Sequence, residues 1–317
     1  GGNYGIYLDG LNTQITSSGG AVSVTGIGNQ NSEAIRIQSN AGITSDSNAD
    51  ITVIADGINL IAPGLINSGT GSTTIRPRTT STRINLGGAD VLSGSPLTLG
   101  LTDAELDQVI AGTLILGDAT AGNLTVSAAI SRPATTNVTL RSGGDVIFNE
   151  NFNTNGGTLL LDPGVSPAAV KPAFNGTDAT AGTVSFASDL AIVINGTTPG
   201  NGLGATYTQL TISGDVNLTG VDLALSGNHT PVPGQTFTIV NNDGMDAVIG
   251  TFTGLPQNTV IPNFLGSTLD ARISYLGGTG NDVVLEVVCP AGTRLYVNDD
   301  AAGTNSGTSW TDAFTDL

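Results

Sequence analysis

Apolar residues alternate with polar residues in short segments along most of the chain. The alternation has a period of two, which is typical of β-strands with one buried face. Gly, Asn, Asp or Ser residues flank nearly all of these segments, so each predicted strand is short and each corner is tight. Examples from the first half of the chain are Ile35/Ile37, Ile51/Val53, Leu114/Leu116, Val138/Leu140 and Leu159/Leu161.

The uniformity of these segments separates two all-β architectures. Short strands without helical crossovers fit either an antiparallel sandwich or a solenoid whose coils each contain two or three strands. The inward positions are nearly all Ile, Val or Leu, and the outward positions are Thr, Ser and Asn. A sandwich of this length would have distinct, aromatic-rich cores. We therefore predict an all-β fold, namely a right-handed parallel β-helix (β-solenoid).

One segment departs from the alternation. Thr102 and Glu105 have the spacing of a capping box, and apolar residues that include Val109 and Ile110 follow on one helical face. This pattern predicts one short helix near 102–111. We expect it to cover an apolar edge or a corner of the solenoid.

Changes in the pattern divide the chain into four parts. The strand signal is regular at first, is interrupted by a proline-rich stretch, and then resumes with most of the phenylalanines. The tail after Cys289 contains one apolar strand signal and is similar to the opening of a further right-handed β-helix domain. The predicted parts are a β-solenoid rod over 1–160, a Pro-rich loop or module boundary over 161–182, a C-terminal solenoid segment or cap over 183–288, and a linker with the start of a further domain over 289–317.

Composition and charge limit the classes of partner that the chain can bind. The 317 residues carry a net charge of −17, with a sequence pI near 4.1, and only 11% are charged. Nucleic-acid binding depends on a basic surface, so we exclude it. The acidic excess indicates a solubility charge or leaves room for divalent cations. The single cysteine, Cys289, excludes a disulfide framework, and no apolar run is long enough to predict a transmembrane segment.

The chain resembles the large β-helical surface proteins of Gram-negative bacteria, the filamentous-haemagglutinin-like adhesins and autotransporter-passenger-like repeats. This resemblance implies export, a location that is extracellular or on the cell surface, and a role in adhesion, biofilm or filament formation. It implies no catalytic residues and no cofactor. The segments that carry it are GIYL at 5–8, LTLGLTDAELDQVIAGTLILGDATAGNLTV at 97–126, GQTFTIVNN at 234–242, GTFTGLP at 250–256, and ISY at 273–275 leading into GGTGNDVVL at 277–285.

Two clusters are candidate binding sites. The stretch 277–285 fits the calcium-binding nonapeptide pattern of β-rolls once, which makes Asp282 a candidate calcium ligand or part of a plain turn. Arg76, Arg78 and Arg83 form a basic cluster without an acidic partner nearby in sequence. This cluster predicts either a solvated edge that deters strand pairing or a patch that binds a carbohydrate or a carboxylate.

An enzyme would need carboxylates that meet on one face, because glycosidases act with two carboxylates at a defined separation. The acidic residues are scattered at predicted corners, and His229 is the only histidine. We therefore predict a non-enzymatic structural or adhesive protein that acts as a stalk, an adhesin or a self-assembling filament subunit. Its expected partners are further copies of itself, host or neighbouring cell surfaces, and polysaccharides. The alternative is a β-helix that binds or degrades polysaccharides. We expect the carboxylates to remain scattered at corners, and several that converge within one groove would overturn the non-enzymatic prediction.

Overall fold

The computed structural model describes residues 3–29, 32–172, 177–200, 204–290 and 302–303. Within these residues the protein is nearly all β, with 44% strand and a single short α-helix. The prediction of an all-β fold is confirmed. Nearly all of the predicted tail over 289–317 lies outside the described residues.

The first part of the chain forms fifteen strands and the α-helix. Their bounds are β1 Ile6–Leu8, β2 Gln14–Ser17, β3 Val22–Thr25, β4 Ile35–Ile37, β5 Gly42–Ser45, β6 Ile51–Ile54, β7 Ile58–Leu60, β8 Leu65–Asn67, β9 Ser72–Arg76, β10 Arg83–Leu86, β11 Thr98–Leu101, α1 Asp103–Leu106, β12 Val109–Ile110, β13 Thr113–Gly117, β14 Leu124–Val126 and β15 Ile130–Ser131.

The second part adds fourteen strands and one 3₁₀ turn among the described residues. Their bounds are β16 Asn137–Arg141, β17 Val146–Phe148, β18 Phe152–Asn153, β19 Thr158–Asp162, β20 Val170–Lys171, β21 Ala179–Phe186, β22 Leu190–Val193, β23 Leu210–Asn217, β24 Leu223–Ser226, β25 Thr236–Asn242, β26 Val248–Ile249, β27 Val260–Ile261, the 3₁₀ turn Phe264–Gly266, β28 Asp270–Gly277 and β29 Asp282–Val288.

Most strands pair in parallel with strands that are distant in sequence. Strands β1, β4 and β7 form one sheet, and β2, β5, β8 and β12 form a second. The largest sheet runs through β3, β6, β9, β13, β16, β19, β21, β23 and β25 in that order. The fourth sheet has the order β11, β10, β14, β17, β20, β22 and β24. Most neighbours within a sheet are therefore separated in sequence by other strands, by shorter steps as where Val138 pairs with Leu159 and by longer ones as where Thr73 pairs with Leu114, and no sheet is closed.

The core consists of aliphatic side chains that lie above one another in register. Alternate residues of each strand point inward, so parallel in-register pairing places like residues in one column. Each member of the column below is buried, and burial of a Val, Leu or Ile side chain contributes about 1.5–3 kcal/mol. The clearest column contains Val22, Ile51, Thr73, Leu114, Val138, Leu159, Val184 and Val216.

The helix is present but shorter than predicted. Both halves of the capping box form, because the Thr102 side chain accepts from the Glu105 backbone N–H and the Glu105 carboxylate accepts from that of Thr102. The helix ends at Leu106, and Val109–Ile110 instead form β12, which pairs with β8. The prediction that Val109 and Ile110 lie on one face of the helix is wrong, since both belong to a strand, in which Ile110 is 49% exposed. Backbone pairing with β8 outweighs the helical pattern here.

The C-terminal part of the described chain changes to antiparallel pairing. Strands β28 and β29 form a hairpin, and β29 pairs antiparallel with β25. Phe237, Phe252 and Phe264 are fully buried in this region. Within the Pro-rich segment 161–182, β20 pairs in parallel with β17, and the start of β21 pairs in parallel with β18 and β23. The division of the chain into four parts stays a prediction.

Candidate functional site

Asp and Asn side chains at the corners connect each strand layer to the next. The Asn48 carboxamide accepts from the backbone N–H of Thr70 at 3.0 Å, and Asn123 accepts in the same way from Asp145 at 3.1 Å. These bonds satisfy backbone donors at places where the ladder turns and no strand partner is available. They give a structural role to many of the acidic and amide residues that the sequence analysis placed at corners. Further acceptors of this kind are Asp50, Asp56, Asn137, Asp145, Asn195 and Asp215.

The three arginines of the predicted basic cluster differ in their surroundings. The Arg76 Nη1 atom lies 3.0 Å from Asp118 Oδ2, so its partner comes from a corner that is distant in sequence. The Arg78 Nε atom lies 3.7 Å from Asp56 Oδ2, which is beyond hydrogen-bond distance. The Arg83 side chain is exposed at the start of β10. A ligand-binding role for Arg76, Arg78 and Arg83 stays a prediction.

Asp282 begins β29, and its carboxylate faces a neighbouring strand. Its Oδ1 atom accepts from the backbone N–H of Asn242 at 2.9 Å, which fastens the β28–β29 turn to β25. Among the described residues, no group of three or more His, Cys, Asp or Glu side chains could hold a metal ion. Calcium binding at Asp282 stays a prediction.

In the described part of the chain, residues 87–112, which we call the insertion, lie where the sheet that ends at β7 is separated from the sheet of β10 and β14. After β10 the chain turns back, and β11 lies on the side of β10 that faces β7. Strands β7 and β11 contact one another but share no ladder in the described part of the chain. The insertion also approaches Gly57, the residue before β7, so closely that a Cβ added there would lie 2.4 Å from Leu92 Cδ2.

Two carboxylates occupy the gap between β7 and β11. Asp90 Oδ2 accepts from the Ile58 N–H at 3.1 Å, and Asp90 Oδ1 accepts from the Gly100 N–H at 2.7 Å. Glu105 Oε1 accepts from the Leu60 N–H at 3.3 Å, while its other oxygen closes the capping box. Side-chain oxygens thus replace the carbonyl groups that a paired strand would offer to β7.

The pKa of Asp90 is raised from 3.8 to about 7, chiefly because burial penalises the charged form. The backbone N–H groups of Gly100 and Ile58 act in the opposite direction but do not outweigh burial, and the charges of Glu105 and Glu33 raise the value further. Asp90, Glu33 and Glu105 all line a cleft of about 610 Å³, the acid cleft. Asp107 lines the same cleft, so four carboxylates face one space, where the sequence analysis predicts scattered corner residues.

A buried arginine, Arg132, forms hydrogen bonds with the second half of the insertion. Arg132 is 3% exposed, and its guanidinium donates to the carbonyl oxygens of Leu106 and Val109, at the end of α1 and the start of β12. Burial lowers the pKa of Arg132, while the carboxylates of Asp107 and Asp103 act in the opposite direction. Sequence reasoning missed this residue, because an Arg before Pro133 in a polar context has the pattern of an exposed turn.

A second cleft, the hydroxyl cleft, lies beside the acid cleft and shares Leu92 with it. Its volume is about 430 Å³, and Arg78 and Asp56 lie in its wall. The other lining residues are Gly57 and residues of 28–29, 32–34, 79–82 and 92–97, most of which are Ser, Thr and Gly. Segment 92–97 belongs to the insertion, so both clefts exist because the ladder is interrupted there.

No helix in the described residues is long and apolar enough to cross a membrane. Comparisons of the chain with models of protein families, with curated proteins and with solved structures find no match.

Proposed function

We propose that this chain is a non-enzymatic segment of a bacterial surface protein, a β-solenoid that acts outside the cell as a stalk, an adhesin or a filament subunit. One observation carries the proposal. Strands β1 to β9 repeat as three sets of three, and each strand pairs in parallel and in register with its counterpart in the next set. One set per coil is the arrangement of a solenoid.

The direction of winding follows from a general rule. Crossover connections between parallel strands of one sheet are right-handed in nearly all proteins, because twisted strands pack back onto the sheet only in that sense. We therefore propose a right-handed β-helix. In-register aliphatic columns and corner hydrogen bonds would make it stiff, since each layer is fastened to the next at both its core and its corners.

A stiff, repetitive rod would serve adhesion because it presents the same face many times. Weak contacts to a cell surface or a polysaccharide add up when linked copies act together, because linking raises the effective concentration. The β28–β29 hairpin pairs with β25 and occupies its edge. End-to-end assembly by strand addition to β25 would have to displace that hairpin, so lateral or multivalent contacts are the better version of the proposal.

The proposal is tested in the source bacterium. Antibodies against the purified chain should label intact cells by immunogold electron microscopy, and deletion of the gene should lower attachment several-fold without slowing growth. A complemented strain controls for other effects of the deletion. Label found only inside broken cells, or attachment equal to that of the parent strain, would contradict the proposal.

A polysaccharide-degrading enzyme is the second candidate, and the acid cleft favours it. The Ile58 and Leu60 amides are two residues apart on one strand, so the carboxylates that they bind, Asp90 and Glu105, are separated by ~6–7 Å. That separation is near the lower end of the range for inverting glycosidases. A carboxyl group with a pKa of about 7 is also suited to act as a general acid.

The hydrogen bonds of the acid cleft weigh against catalysis. Each of the four oxygens of Asp90 and Glu105 already accepts from a backbone N–H of this chain. These bonds hold the insertion against β7, which is a structural role. A reducing-end assay on acidic and neutral polysaccharides decides the matter: we expect no release of sugar ends, whereas release that is lost in Glu105→Gln would establish the enzyme.

A further inference from the structure

Arg78 differs from Arg76 and Arg141 in that its guanidinium lies within ion-pair range of a carboxylate, 3.7 Å from Asp56 Oδ2, without a hydrogen bond to it. Its side chain is 44% exposed, and within the described residues its guanidinium makes no hydrogen bond. By contrast, Arg76 and Arg141 lie 3.0 and 2.5 Å from carboxylate oxygens. The planar fork of Arg78, which can donate two parallel hydrogen bonds, is therefore available to a ligand.

The nearby carboxylate of Asp56 is already engaged with the backbone. Its Oδ1 atom accepts from the N–H groups of Arg78 and Thr79 at 2.9 and 2.7 Å, and its Oδ2 atom accepts from the Thr79 hydroxyl at 2.6 Å. Asp56 thus fixes the loop that carries Arg78, and its charge is directed to the backbone of that loop. The guanidinium is held at the wall of the hydroxyl cleft without being bound to Asp56.

The remaining lining groups suit a polyhydroxylated ligand. Ser32, Thr80, Ser81, Ser93 and Ser95 come from three separate segments and surround the same space. Hydroxyl groups can both donate and accept, which matches the hydroxyl groups of a sugar ring. The cleft volume of about 430 Å³ lies within the range of ~300–1,000 Å³ that is usual for small-molecule sites.

We propose that the hydroxyl cleft binds an acidic saccharide, whose carboxylate pairs with Arg78 and whose hydroxyl groups bond to the serine and threonine side chains. The net charge of −17 gives the chain no general attraction for anions, so binding depends on this local cation. The site goes beyond the proposed structural role, because it requires only the local arrangement of the insertion, the loop that carries Arg78 and the residues around Ser32 and Asp56. It can therefore be present even if the chain is not an adhesin.

Titration calorimetry with a defined probe tests the site. The probe is a tetrasaccharide of alternating glucuronate and N-acetylglucosamine, and its carboxyl methyl ester is the uncharged counterpart. We expect saturable one-to-one binding of the acid and at least about tenfold weaker binding of the ester, because the ester loses the charge-assisted bonds. Arg78→Gln should weaken binding of the acid by a similar factor.

Two further variants keep the result interpretable. Arg272→Gln removes a comparably exposed arginine that lies outside the cleft, and it should bind like the unmodified protein. Ser93→Trp fills the cleft from an exposed position and should abolish binding while Arg78 remains. Equal binding of acid and ester, no binding by the unmodified protein, or unchanged binding by Arg78→Gln would each overturn the proposal.

Discussion

The stretch from β13 to β19 and the insertion use the same residue types in opposite ways. In the regular stretch, strands pair directly, and Asn and Asp side chains serve only at corners, as Asn123 does toward Asp145. At the insertion, β11 and β7 lie side by side without pairing, and Asp90 and Glu105 stand where backbone carbonyls would be. The interrupted stretch has buried charge and two clefts, which teaches that function is best sought where the repeat fails.

The largest effect is expected in the regular stretch. Leu116 is fully buried in a column with Ile75, Leu140 and Leu161, so Leu116→Ala leaves a cavity that its neighbours cannot fill. We expect the free energy of unfolding to fall by about 3 kcal/mol, measured by urea denaturation. Leu276→Ala removes a leucine that is 69% exposed and should change it by less than about 0.5 kcal/mol. Equal losses in the two variants would refute the buried column.

The next effect concerns the insertion. Arg132→Met keeps an apolar stem but removes the donors to Leu106 and Val109, so two carbonyl groups lose their partner. We expect the free energy of unfolding to fall by about 2–3 kcal/mol and amide hydrogens in α1 and β12 to exchange faster with solvent. The matched change is Arg141→Met, which breaks a more exposed ion pair with Asp162 and should cost less than about 1 kcal/mol.

A third prediction concerns pH. The folded-state pKa of Asp90 is raised from 3.8 to about 7. The contribution of Asp90 to the free energy of unfolding is therefore most favourable when the carboxyl group is protonated, and it is lost as pH rises through about 7. Between about pH 5 and pH 8, the free energy of unfolding of the unmodified protein should fall by about 2 kcal/mol more than that of Asp90→Asn. Asp145→Asn, in the regular stretch, leaves Asp90 in place and should keep the pH-dependent loss. Parallel pH curves for Asp90→Asn and the unmodified protein would show that Asp90 is not buried as described.

The smallest effect tests a single corner. Asn123→Ala leaves the backbone N–H of Asp145 without its side-chain acceptor, and we expect a loss of about 1 kcal/mol. Asn149 is an exposed asparagine in the same stretch, and Asn149→Ala should have almost no effect. Denaturation curves that coincide for the two variants would show that the corner bonds do not stabilise the layers.

The sequence predicts strands well and their order poorly. The pattern at Val138 and Leu140 has a period of two, and both side chains are buried in β16. No such pattern says that β11 lies between β7 and β10, because pairing partners are set by contacts between distant residues. Asp90 follows two glycines and therefore has the signature of a turn. Its burial depends on that unpredicted strand order, so the acid cleft has no local signal in the sequence.

The central claim is that the strand layers lie one after another along a single axis. Thr52, Ser185, Asn217 and Ile249 occupy one register column of the largest sheet, through Thr74, Ile115, Thr139 and Leu160. Spin labels are placed in pairs, one at Thr52 and the other at Ser185, Asn217 or Ile249, in a Cys289→Ser background.

Pulsed electron paramagnetic resonance then measures the three separations. Strand spacing of ~4.8 Å predicts distances near 24, 29 and 34 Å, which rise by one spacing per layer. Distances that do not increase in this order would contradict the stacked arrangement and, with it, the proposed solenoid.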